Sequence, residues 1–134
     1  MSTDLVVLAQ ASYDRSREAP EFFATFYAEL FARVPAARAK FANTDFDRQY
    51  RLIDHGIGLL LNFSRQPQEG PNILSRLAAK HSRTDLDINP AMYQGFVIAL
   101  MATVRQYDKE FTPEVEEAWR IAILDGMDYL ASKY

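Results

Sequence analysis

Apolar residues recur every three or four positions through almost the whole chain, the spacing of helices with one face turned to a core. Leu5 and Leu8, followed by the small Ser12, predict a first helix to about Arg17, with Ser2-Thr3-Asp4 as its cap. Pro20 suits the first turn of a second helix, where its missing N–H costs nothing. That helix carries Phe22, Phe23, Phe26, Tyr27, Leu30 and Phe31, a dense aromatic stripe. Pro35 opens a short helical turn ending near Phe41. Asn43-Thr44-Asp45 caps a longer helix through about Ser64, with Phe46, Ile53, Ile57 and Leu60 on one face and Leu52, Gly56, Leu59 and Phe63 beside them. The polar run Arg65-Gln66-Pro67-Gln68-Glu69-Gly70 reads as a loop. Residues 71–83 return to helix, with Ile73, Leu74, Leu77 and Ala78 on the apolar side, and residues 84–88 form a connector. Asn89-Pro90 and Thr112-Pro113 each pair a capping side chain with a proline in the first turn. The first opens a helix bearing Phe96, Val97, Leu100, Met101, Val104 and Tyr107; the second opens one bearing Val115, Ala118, Trp119, Ala122, Gly126 and Tyr129. Asp125-Gly126 would signal a hairpin between strands, but its flanks are helical.

The expected product is a single all-α domain over residues 1–134, six or seven helices of unequal length that do not suit a regular four-helix bundle. A chain of 134 residues buries roughly 70% of its unfolded surface, so it needs neither metal nor disulfide merely to fold. A net charge of -3 gives no electrostatic footprint for nucleic acid. No stretch approaches the ~20 apolar residues of a membrane span, and the N-terminal residues lack the basic flank of a secretory signal, so a cytoplasmic location is expected.

Candidate chemistry is narrowed by two counts, no cysteine and two histidines. The first excludes disulfides, Cys-based zinc sites, iron–sulfur clusters, thiol nucleophiles and thioether-linked haem or bilin. The second is too few for a histidine-rich zinc centre without carboxylate help. A five-coordinate haem iron, however, needs only one firmly held imidazole on an otherwise apolar helix face. His81, four residues after Leu77, has that placement; it would serve equally as a capping histidine favoured by the helix dipole. The aromatic stripe is likewise open to two readings, a dry core or the wall of a large flat apolar cofactor.

The ordered set of residues resembles a bacterial single-domain globin related to the globin domain of flavohaemoglobins. Phe26-Tyr27-Ala28-Glu29-Leu30-Phe31 followed by Pro35 and Phe41 is similar to the family's second and third helices and its haem-packing phenylalanine. Leu77 with His81 resembles the proximal helix. Asn89-Pro90 through Tyr107 resembles the long helix that follows, and Phe111-Thr112-Pro113-Glu114 with Ala118-Trp119 the start of the last one. The resemblance implies a globin fold around non-covalent haem b, with His81 on the iron, Tyr27 on the distal side and Phe41, Leu77 and Tyr93 against the cofactor. It implies reversible binding of O2, and of CO and NO.

The second distal residue is left between neighbours. Gln49, 32 residues before His81, would bring Ile53 to the haem; Arg48 would bring Leu52. His55 lies 26 residues before His81, short for the chain to cross the haem, and is expected about two turns past the pocket. Were it distal, the ferrous iron would be six-coordinate. Arg51, Lys80 and Arg83 are candidates for the propionates. In the flavohaemoglobin-like group a Tyr and a Glu surround the proximal histidine; Tyr93 resembles the Tyr, but the Glu position falls at about Tyr134. That departure weakens the case for peroxidase-like or fast NO-dioxygenase chemistry, which would in any case require a separate reductase, since no GxGxxG occurs. A gas sensor and a haemless globin-like module are the remaining alternatives. A monomer or weak homo-oligomer is expected, with no nucleic-acid or membrane partner.

Overall fold

The computed structural model describes residues 2–63, 74–83 and 88–134. Among them the chain is all helical: α1 (Ser2–Ser16), α2 (Phe22–Arg33), α3 (Pro35–Ala39), α4 (Phe46–Asn62), α5 (Ser75–His81), α6 (Pro90–Tyr107) and α7 (Pro113–Ser132). The expected loop at 65–70, the start of the helix expected from residue 71, Ile73 and most of the 84–88 connector lie outside the described residues.

Three helix starts follow from side chains that satisfy otherwise unpaired N–H groups. Asp45 accepts from the N–H groups of Asp47 and Arg48, Asn89 from Met92, and Thr112 from Val115. Pro90 and Pro113 occupy first-turn positions, as the sequence predicts. Two starts differ from expectation. The first helix already begins at Ser2, within its expected cap. Pro20 lies outside α2, in a turn closed by the Ala19 N–H on the Ser16 carbonyl and the Phe22 N–H on the Ala19 carbonyl. That turn needs no donor at position 20, so the proline serves the corner rather than the helix.

α1 packs on α7 and α2 on α6, while α4 and α5 rest on α7. Trp119, Tyr13, Phe22, Phe26, Ile57, Leu61, Leu100 and Ile123 are the large side chains most completely enclosed. Two polar ties fix this arrangement. Tyr13 Oη and the Arg17 guanidinium both donate to the Asp54 carboxylate, joining α1 to α4. Asp108, at the C-terminal end of α6, is 3% exposed. It accepts from Ser12 Oγ (2.6 Å), Arg15 Nε (2.7 Å) and Nη2 (3.0 Å), and the Glu110 N–H (2.9 Å). Trp119 Nε1 donates in turn to Ser12 Oγ at 2.9 Å, so one carboxylate links α1, α6 and α7.

The crossing of α2 over α6 depends on Gly95, two residues from Tyr93. A Cβ built there would lie 2.1 Å from Cγ2 of Val34, at the α2–α3 junction. Valine is stiff at χ1, so a backbone has to move. Gly95→Ala is expected to cost about 1–3 kcal/mol through overpacking despite the better helix propensity of alanine. In a Val34→Ala background the same change becomes neutral or stabilising. Urea unfolding of the four proteins measures the sign reversal; equal effects in both backgrounds would show that the close approach does not set the cost.

Candidate functional site

Tyr27 is the middle of a ring cage. Its side chain, 4% exposed, touches Phe26, Phe31, Phe41, Phe46 and Tyr50, with centroids between 5.1 and 6.0 Å. Among the described residues the polar contact to its hydroxyl comes from α4, where Gln49 Nε2 donates to Tyr27 Oη at 2.9 Å. Burial pushes the phenol up to about 12, against a small lowering by Gln49 and a further rise from nearby Tyr50. The group is therefore a neutral phenol at physiological pH. Because its oxygen accepts from the amide, its own proton remains to be donated elsewhere.

The register of α4 separates the two distal candidates. Gln49 and Ile53 are half-buried, while Arg48 is exposed and Leu52 is 49% exposed. The structure thus brings Gln49 to Tyr27, keeps Ile53 half-buried one turn along, and leaves Arg48 and Leu52 on the solvent face. His55 and Arg51 are exposed as well. They line a surface groove with Gln10, Arg17, Asp54 and Asn62 between α1 and α4, on a different side of α4 from Gln49.

His81 is the last residue of α5 and half-buried. Its Nδ1 lies 3.4 Å from Tyr93 Oη of α6, and the two rings stack at 6.4 Å and 28°. Burial pushes the Tyr93 phenol up to about 12, so it too is neutral. The backbone after His81 is fixed by two bonds: the Ile88 N–H to the His81 carbonyl at 3.0 Å and the Arg83 N–H to the Tyr134 carbonyl at 3.1 Å. The Arg83 guanidinium lies over the Tyr134 ring, 5.0 Å from its centroid, and Lys80 is exposed.

Each of these points has an apolar neighbour one turn away on its own helix. Ile53 is one turn beyond Gln49, Leu77 one turn before His81, and Phe96 and Val97 one turn beyond Tyr93. All four, and Phe41, pack on the core while remaining partly exposed. The helices that bear them do not close on each other: α4 rests on α1 and α7, and α2 on α6, but α4 and α6 do not pack closely among the described residues. Nor do those residues contain a cluster of three or more His, Asp or Glu able to hold a bare metal ion. A single half-buried imidazole, a row of partly covered apolar side chains and a phenol–amide pair fit a flat apolar group whose metal brings its own equatorial ligands, which is the chemistry of haem.

Sequence reasoning missed Tyr50 and Phe46 as neighbours of Tyr27. Tyr50 directly follows Gln49, but a pattern of apolar positions does not reveal which of two adjacent side chains reaches a ring on another helix.

Comparison with known proteins agrees with this geometry. The family model described as Globin matches residues 24–125. A crystal structure of a Pseudomonas aeruginosa protein described as structurally highly homologous to a human hemoglobin superposes with a TM-score of 0.90 at 34% identity, over 97% of this chain and 98% of that one. No curated protein matches the sequence.

Proposed function

Because the chain belongs to the globin family, we propose that it holds haem b non-covalently and binds O2 reversibly, with His81 as iron ligand and Tyr27 and Gln49 on the distal side. The observation that carries this reading is the 2.9 Å bond from Gln49 to Tyr27, made in a cage of aromatic rings. Haem, held by His81, would supply a ferrous iron able to take a diatomic ligand. The side chains do the rest. His81 would hold the iron through Nε2, which would leave Nδ1 to carry the proton and donate to Tyr93 Oη, 3.4 Å away. A neutral phenol in that role leaves the ring a neutral imidazole, which supports reversible binding better than electron-pushing oxidation chemistry. Tyr27 would donate to a partly negative bound ligand, and Gln49, whose amide donates to the Tyr27 oxygen, would polarise and aim that hydroxyl. Phe41, Ile53 and Leu77 exclude water from the apolar faces. CO and NO are ligands of the same site.

Absorbance of purified ferric, ferrous and CO-bound protein tests the reading directly: a Soret band that shifts with each state is expected, and its absence after haem titration would leave a haemless module. Tyr27→Phe removes a charge-assisted donor of about 1.5–3 kcal/mol, so O2 dissociation is expected to rise about 10- to 100-fold. Stopped-flow displacement of O2 by CO measures it. Since burial keeps the Tyr27 phenol protonated to about 12, the wild-type rate should stay flat from neutral to mildly alkaline pH.

A further inference from the structure

One hydrogen bond fixes the distance of the Tyr27 oxygen from Gln49 but not the tilt of the ring that carries it. The oxygen remains able to swing on an arc about the amide, and a donor that swings is a poor donor to a ligand held at one place. The structure closes that freedom from the residue next to Gln49. Tyr50 stacks on the face of Tyr27 with centroids 6.0 Å apart and planes at 24°. It also stacks on Phe23 with the same separation and angle, and Phe46 lies 6.0 Å away at 53°. Tyr50, entering from α4, thus stacks on two rings of α2, Phe23 and Tyr27.

We propose that Tyr50 is the positioning residue of the distal site, its ring face setting the tilt at which Tyr27 presents its hydroxyl. Resting on the haem reading above, this makes the first turns of α4 a two-point clamp. Gln49 holds the phenol oxygen, and Tyr50 holds the plane. Asp45, which accepts from Asp47 and Arg48 N–H, anchors the turn that carries both. The role belongs to the ring and not to the Tyr50 hydroxyl. Phenylalanine should therefore replace it, whereas leucine, apolar but without a flat face, should not.

The infrared C–O stretch of the CO-bound protein reads the distal hydrogen bond, and O2 dissociation reads its consequence. A single band is expected for wild type and for Tyr50→Phe. Tyr50→Leu is expected to split or shift the band toward that of Tyr27→Phe and to speed O2 loss about two- to tenfold, the range set by one aromatic pair. Should Tyr50→Leu not fold, Phe23→Leu, which removes the second ring stacked on Tyr50, is judged by the same two readouts. If Tyr27→Phe moves the band while the leucine variant keeps the wild-type band and rate, Tyr50 is simple packing and the inference fails alone. If Tyr27→Phe leaves the band in place, the distal reading falls and this inference with it.

Discussion

His81→Ala is expected to lose the ordered haem complex. The imidazole stands half-buried at the end of α5 beside Tyr93, and the proposed function makes it the iron ligand. Loss of a partner that merely orients a metal ligand costs about 10- to 100-fold in affinity, so removal of the ligand itself should accelerate haem loss by at least about 100-fold. Residual haem would sit in the apolar row without a fixed axial bond, giving a weak, broad Soret band that sharpens when free imidazole is added. Transfer of haem to an excess of an apo-acceptor protein measures the rate. The control is His55→Ala, whose side chain lies in the polar groove between α1 and α4 and should leave every band in place. An unchanged ferrous spectrum in His81→Ala would end the assignment, and a changed one in His55→Ala would reopen the six-coordinate alternative.

The largest effect on stability is expected at Asp108. Its carboxylate, itself almost fully enclosed, gathers Ser12, two Arg15 donors and the Glu110 N–H. Asp108→Ala takes the acceptor from the buried Ser12 hydroxyl and leaves the partly exposed Arg15 with the more distant Glu110 carboxylate at 3.7 Å, a loss of about 3 kcal/mol, or roughly 10 °C in a chain of this size. Burial alone would raise the carboxyl, but Arg15, Ser12 and the Glu110 N–H outweigh it and hold it below the ordinary aspartate value. A depressed native value means that this stabilisation is present above the unfolded-state value and lost as pH falls through the native one. Wild type should therefore lose the Asp108 contribution only in acid below the usual carboxylate range, and the gap between wild type and Asp108→Ala should narrow there. Urea unfolding across that range checks both size and sign. A gap that persists in acid would show that the carboxylate charge is not what holds the corner.

How far the chain could be read in advance depended on the range of the interactions. The starts of α4, α6 and α7 were legible because Asp45, Asn89 and Thr112 act on backbone groups two or three residues away. His81 and Tyr27 stood out as candidates through their neighbours in sequence, Leu77 in one case and the aromatic stripe in the other. Gln49 and Arg48 were not separable, since they differ by 100° around α4 and periodicity resolves a face no more finely than that. Their burial and the contact of Gln49 with Tyr27, 22 residues away, distinguish them. The Asp108 corner was invisible for the same reason: its partners lie 93 and 96 residues off along the chain. Pro20 misled because a proline before a helix suits a corner as well as a first turn.

The partly covered row of Phe41, Ile53, Leu77, Phe96 and Val97 has a consequence for the life of the protein in a cell. Burying that row under a ligand stabilises the folded chain by mass action, so the abundance of the protein is coupled to the supply of haem. A chain finished while haem is scarce leaves these side chains partly exposed, the kind of exposure that draws chaperones, proteases and other copies. Cells short of iron or of porphyrin should therefore hold less of this protein at unchanged synthesis, and the cofactor acts on its lifetime before it acts on any gas.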